Sequence, residues 1–87
     1  MGRPKRITAT GDVTGAVTGG TVMGGMFTPG TTLTTIDIRE NGAAGNIIYK
    51  FISPANGASV PFDFPFRFEG QLHVTIAGTA AEVTLNI

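Results

Sequence analysis

Apolar and polar residues alternate along most of the second half of this chain. The clearest example runs from Pro61 to Phe68, where phenylalanine occupies every second position. Because successive side chains of a β-strand point to opposite faces, this spacing predicts one strand with four aromatic rings on a buried face. Pro61 and Pro65 alternate with the rings and have no backbone N–H, so we expect this strand at a sheet edge or beside a bulge.

The same alternation predicts about six strands and no helix. The predicted strands cover residues 22–28, 33–40, 47–52, 61–68, 72–77 and 82–87, with turns rich in glycine, proline and asparagine between them. Short strands of period two are typical of an all-β, antiparallel β-sandwich, with either a jelly-roll or an immunoglobulin-like strand order. The predicted core consists of the inward positions of the last three strands: Phe62, Phe64, Phe66, Phe68, Leu72, Val74, Ile76, Val83 and Leu85.

One predicted strand differs from the others. Residues 47–52 are apolar on both faces except at Lys50. A strand of this composition is expected to be central in its sheet or covered on both sides.

Residues 1–21 lack this alternation and are predicted to form an extended arm ahead of a β-sandwich domain at residues 22–87. The arm begins with a basic cluster and continues as an imperfect five-residue repeat rich in glycine and threonine, too short for a solenoid. It is interpreted either as an arm that lies along another protein surface or as a flexible tail. The side chains expected to anchor it to a partner are Arg3, Lys5, Arg6, Val13, Val17 and Val22.

The size and composition of the chain favour association with other copies. A single domain of 87 residues buries only about 60–65% of its unfolded surface, so the isolated monomer is expected to be marginal. The chain has no cysteine and one histidine, which leaves no disulfide and no Cys/His metal cluster to add stability. We therefore expect a homo-oligomer, no cofactor and no metal.

Charge and hydropathy limit the kinds of partner and the cellular location expected for this chain. Six basic and six acidic residues give zero net charge, so a large nucleic-acid or membrane surface is not expected. No apolar run approaches the roughly 18–20 residues that span a bilayer. The basic N-terminus is not followed by a hydrophobic stretch, so no signal peptide is expected, and the lack of cysteine is consistent with a reducing cytosol.

No arrangement of residues predicts catalysis. His73 alternates with the apolar residues of its strand and is expected to be a polar surface residue. The two serines, Ser53 and Ser59, fall in turns, and the six carboxylates show no paired or calcium-loop spacing. The chain is therefore predicted not to be an enzyme.

The basic N-terminus allows a DNA-binding interpretation. Gly2-Arg3-Pro4-Lys5-Arg6 is similar to the core of an AT-hook, in which Arg and Lys enter a narrow minor groove. Three charges give only weak, salt-sensitive binding to DNA. The other interpretation is contact with an acidic patch on a protein.

Two patterns resemble a known group of proteins. A strand ending in Ile36-Asp37-Ile38 precedes a loop rich in Ala, Gly and Asn, and Leu72-His73-Val74 is followed by Gly78-Thr79-Ala80 and by Val83-Thr84-Leu85. Over residues 22–87 these patterns resemble small structural proteins of tailed bacteriophages. The resemblance implies a β-sandwich without catalytic residues that decorates or cements the capsid, often as a trimer, or occurs in neck and tail parts.

The favoured hypothesis is thus a capsid decoration (cement) protein on the virion surface, made in the host cytoplasm. Its expected partner is the major capsid protein or another virion protein. The alternatives are a neck, tail or fibre module of a phage and, in a different class, a small DNA-binding protein.

Overall fold

The fold is entirely β in the computed structural model, which describes residues 4–13, 18–63 and 65–87. These residues form ten strands and no helix, and every strand pairing among them is antiparallel. Arg3, Val17 and Phe64, which were predicted as anchor or core residues, lie outside the described residues. The strands are β1 (Pro4–Ile7), β2 (Gly11–Asp12), β3 (Gly20–Val22), β4 (Gly25–Thr28), β5 (Thr34–Arg39), β6 (Ile47–Ser53), β7 (Val60–Phe62), β8 (Phe66–Phe68), β9 (His73–Ala77) and β10 (Glu82–Asn86).

The strands form three sheets. The first sheet has the order β1-β10-β4-β7, the second has the order β2-β9-β5-β6, and β3 pairs with β8 in a third. In the described residues, β5 and β6 are the one pair of consecutive strands that lie side by side in a sheet. Every other connection leads from one sheet to another, so the sheets are tied together by the chain itself.

Apolar side chains from all three sheets meet in a single core. Phe27 of the first sheet is fully buried, and its ring stacks on Phe51 of the second sheet at 4.5 Å and on Phe62 of the first at 5.0 Å. Face-to-face contact between rings excludes water from the space between two sheets. The buried residues of this cluster are Val13, Val22, Phe27, Ile36, Ile38, Phe62, Phe68, Leu72, Val74, Val83 and Leu85, with Phe66 and Ile76 partly buried against it.

The Cα radius of gyration is 11.9 Å. A folded chain of this length is expected to have a value of about 12 Å. The described N-terminal residues are therefore part of one globular body, and the extended arm predicted for residues 1–21 is not confirmed. The expected sandwich of about six strands is likewise not confirmed, since the described residues form ten strands in three sheets, whereas the all-β, antiparallel class is confirmed.

The phenylalanine-rich segment forms two strands, so the prediction of one continuous strand is wrong. β7 pairs with β4 at the end of the first sheet, and β8 pairs with β3 in the third. Proline at positions 61 and 65 removes two donors from a continuous ladder, and the chain leaves the first sheet between them. The rings nevertheless stay together, because Phe62 and Phe66 stack at 6.0 Å.

The predicted central position of residues 47–52 is also wrong. β6 lies at one end of the second sheet, with β5 as its partner. Its inner face packs Phe51 onto Phe27, whereas Ile47 and Ile52 on the strand are exposed. An apolar composition on both faces therefore does not identify a central strand here.

The Phe27 stack gives a direct test of the core. Replacing Phe27 by Ala removes the ring that joins the first and second sheets, and should lower the free energy of unfolding by about 3–5 kcal/mol. Met26→Ala changes the neighbouring, exposed side chain and should alter it by no more than about 0.5 kcal/mol. Urea titration followed by circular dichroism measures both; equal losses in the two variants would contradict this account of the core.

Candidate functional site: the N-terminal segment and the polar face

Residues 4–13, here called the N-terminal segment, complete one side of both large sheets. β1 pairs with β10 from Pro4↔Asn86 to Ile7↔Val83, and β2 pairs with β9 through Gly11↔Val74 and Asp12↔His73. Strand pairing uses backbone groups and therefore does not need alternating apolar side chains. This explains why residues 4–13 enter the sheets without a strand pattern in their sequence.

An ion pair fastens β1 to β10. The Arg6 guanidinium donates from Nε to Oε1 of Glu82 at 2.7 Å and from Nη2 to Oε2 at 2.9 Å. This two-bond geometry lowers the pKa of the Glu82 carboxyl, against the opposing effect of desolvation, and raises the pKa of Arg6. The Arg6 side chain is 68% exposed, so solvent screens the pair and it orients β1 more than it stabilises the fold.

Two further residues, Thr10 and Val13, hold the rest of the segment. The Thr10 hydroxyl donates to the Ile76 carbonyl at 3.2 Å and accepts from the Ile76 N–H at 2.9 Å, so a side chain takes the place of a strand partner between β1 and β2. Val13 donates from its N–H to the Leu72 carbonyl at 2.9 Å and is buried in the core cluster. Gln71 Nε2 donates to the Val13 carbonyl at 3.0 Å.

The predicted anchor residues that the structure describes therefore contact their own domain. Arg6 binds Glu82, Val13 lies in the core, and Val22 of β3 is fully buried opposite Phe66. Lys5 is half-buried and lies opposite Leu85. The composition of the segment predicted that these side chains bind a surface, but it did not indicate whether that surface belongs to the same chain or to a partner.

A polar face covers the outer side of the second sheet. Asp12, His73 and Arg39 lie side by side in register on β2, β9 and β5. Nδ1 of His73 lies 2.8 Å from Oδ1 of Asp12, so the carboxylate accepts its hydrogen bond and orients the ring. His73 is only 7% exposed, and the prediction of a surface histidine is wrong because β2 brings Asp12 beside it from 61 residues away in the chain.

A buried carboxylate lies in the next row of this face. Asp37 of β5 is 8% exposed, with Arg39 Nη2 at 3.8 Å from its Oδ2 and Lys50 Nζ at 3.4 Å from its Oδ1. Two cations offset the cost of removing this charge from water. Lys50 approaches at ion-pair distance without hydrogen-bond geometry, so Oδ1 is the one buried side-chain oxygen in the described residues that accepts no hydrogen bond.

The chemistry of this face is that of an oriented, charge-balanced surface. Within the described part of the chain, His73 has its hydrogen bond to Asp12, and no group of three His, Asp or Glu side chains is placed to hold a metal ion. No signal in the sequence indicated the Asp12–His73 pair, because its two residues lie 61 positions apart in the chain.

Comparisons with known proteins give no match for this chain among protein-family models, curated proteins or solved structures. The described residues also include no helix long and apolar enough to cross a bilayer. Function is therefore inferred from the residues and contacts of the chain itself.

The Arg6–Glu82 pair predicts a specific response to acid. The pKa of Glu82 is lowered in the folded chain from its ordinary value of 4.5, so the folded state binds fewer protons in this range. The stability from this pair is complete above that value and is lost as the pH falls through the folded pKa. The melting temperature of the Glu82→Gln variant should therefore fall less than that of wild type when the pH is lowered from about 5 to about 3.

The matched control is Glu69→Gln, which changes an exposed carboxylate that forms no ion pair in the described residues. This variant should keep the wild-type dependence of melting temperature on pH. An unchanged dependence in Glu82→Gln would show that the pair does not form in solution.

Proposed function

We propose that this chain is a non-enzymatic structural protein of a bacteriophage virion, a capsid decoration protein that stabilises the head through contacts between copies. The observation that carries the proposal is the N-terminal segment, which joins both large sheets at their edges through backbone pairing and a few side-chain contacts. An element attached in this way is suited to join separate copies. The resemblance of residues 22–87 to small phage structural proteins supports the same class.

The proposed scaffold is a β-sandwich made of the first and second sheets. Their inner faces share one core, and Phe27 stacks across it on Phe51. The pair β3 and β8 adds Val22 and Phe68 to that core from the side. A module of this kind is rigid, because its core is reached by strands from every sheet.

In the assembled particle, we expect the segment of each copy to lie on β9 and β10 of its neighbour. Such an exchange keeps the Arg6–Glu82, Thr10–Ile76 and Val13 contacts, so it costs little beyond bringing copies together. A capsid lattice supplies that proximity as a high effective concentration. Head-to-tail exchange among three copies closes a ring, so a trimer is the favoured homo-oligomer.

The proposed partner on the particle is the major capsid protein or another virion protein, and the proposed location is the capsid surface after synthesis in the host cytoplasm. DNA is a weaker candidate partner, because the Arg6 guanidinium that an AT-hook would insert into the minor groove is bound to Glu82. A phosphate contact would first have to displace this carboxylate.

Removal of the chain from its phage tests the function. Particles produced without it should package DNA and then lose it at lower temperature or lower ionic strength than wild type, and the purified full-length chain should restore resistance. Immunogold labelling should mark the head surface. Label at the tail or neck would favour the alternative virion role, and particles lacking the chain in wild-type preparations would contradict both.

A charge-swap experiment tests the exchange. Arg6→Glu and Glu82→Arg each oppose like charges within one chain and should weaken segment docking. If segments exchange, mixing the two variants restores opposite charges at two of the three junctions of a mixed trimer, and light scattering should show a mixed oligomer larger than either variant forms alone.

Rescue on mixing separates exchange from docking within one chain, because only exchange brings residue 6 of one variant beside residue 82 of the other. Absence of rescue, with wild type still oligomeric, would remove exchange from the proposed mechanism. The double variant, which carries both substitutions in one chain, is the control for folding.

A further inference from the structure

Most strands at the sheet ends are poor partners for another strand. β1 contains Pro4 and two basic residues, β7 contains Pro61, β2 has two residues, and β3 and β8 have three each. Proline, charge and short length are the usual means by which proteins keep sheet edges from pairing. Within the described residues these features apply to every terminal strand except β6.

β6 has seven residues and no proline, and it is the longest strand in the described residues. Its pairing with β5 is regular from Thr34↔Ser53 to Ile38↔Tyr49, and the one irregularity falls beyond that point, between Ile38 and Arg39. In an antiparallel ladder, alternate backbone groups point away from the partner strand. The stretch from Lys50 to Ile52 therefore presents backbone donors and acceptors on the side away from β5.

Lys50 is the one charged residue of β6, and its ammonium group does not guard the strand edge against pairing. Lys50 Nζ lies 3.4 Å from Asp37 on β5, so it is directed across its own sheet and is balanced there. Ile52, on the same outer face as Lys50, is 62% exposed, and Leu33, immediately before β5, is 66% exposed. Ile52 lies opposite Thr35, two residues after Leu33, which places these two apolar side chains diagonally across neighbouring strands.

We propose that β6 is an interface between two copies of this chain, in which the two β6 strands pair antiparallel and join two second sheets into one. A two-fold axis perpendicular to the sheet keeps both inner faces on the same side of the joined sheet. It places odd-numbered residues opposite odd-numbered ones and even-numbered residues opposite even-numbered ones. The register centred on Phe51 places each Lys50 opposite Ile52 of the second copy. The register centred on Lys50 would oppose like charges and is disfavoured.

A second copy suits this surface because the exposed side chains of the two β6 strands would cover each other. Ile52 covers the aliphatic part of Lys50 of the second copy, while the ammonium stays with its own Asp37. Phe51, which stacks on Phe27, would meet Phe51 of the second copy on the inner face and extend the core across the junction. The contact is isologous, so it ends at two copies. It does not depend on the virion function proposed above.

The experiment is sedimentation equilibrium of the full-length chain over a range of concentrations, with Ile52→Lys and Met23→Lys as the paired variants. Ile52→Lys places a second cation opposite Lys50 of the other copy and should weaken the dimer by about tenfold or more. Met23 is also exposed and apolar but lies outside β6, so Met23→Lys should associate like wild type.

Amide hydrogen exchange gives a second measurement that needs no variant. Protection of the Lys50–Ile52 stretch should rise with protein concentration, while that of Gly20–Val22 in β3 should not. A wild-type chain that stays monomeric, equal association of Ile52→Lys and wild type, or equal weakening by Met23→Lys would each overturn the interface. An oligomer weakened by Arg6→Glu but unchanged by Ile52→Lys would assign association to segment exchange alone and also overturn it.

Discussion

The contact on which the rest of the structure depends is the stack of Phe27 between Phe51 and Phe62. It joins β4 and β7 of the first sheet to β6 of the second, and its three rings lie in or against the apolar cluster that all three sheets share. In a chain of 87 residues without a disulfide, one aromatic centre replaces the larger core of a longer protein. Both proposed interfaces are extensions of the sheets that this stack holds face to face.

The fold uses two kinds of strand for two purposes. Strands with alternating apolar residues, such as β5, β9 and β10, build the core, whereas the N-terminal segment contributes mainly backbone hydrogen bonds to the sheet edges. Backbone pairing is independent of side-chain identity, which makes a segment of this composition able to join any matching edge. Specificity then comes from a few contacts, above all Arg6 with Glu82 and Val13 in the core.

The sequence predicted the β class and much of the core because period-two alternation reports directly which side chains share a face. Leu72, Val74, Val83 and Leu85 are fully buried, in agreement with that reasoning. It could not predict that Asp12 reaches His73, or that residues 4–7 pair with residues 83–86, because such contacts join positions at opposite ends of the chain. The expectation that residues 47–52 are central in a sheet or covered on both sides was wrong, because an apolar composition does not require burial: β6 lies at a sheet end and Ile52 is exposed.

The pairing of β1 with β10 has a consequence for the order in which the chain folds. During synthesis the residues of β1 are made before their partners on β10, and those of β2 before their partners on β9. Contacts between positions so far apart close slowly, because the loop entropy of the whole chain must be lost first. The N-terminal segment is therefore expected to be the last element to settle. In the proposed assembly, the segment of a neighbouring copy would compete during that interval with the chain's own segment for the same two strand edges.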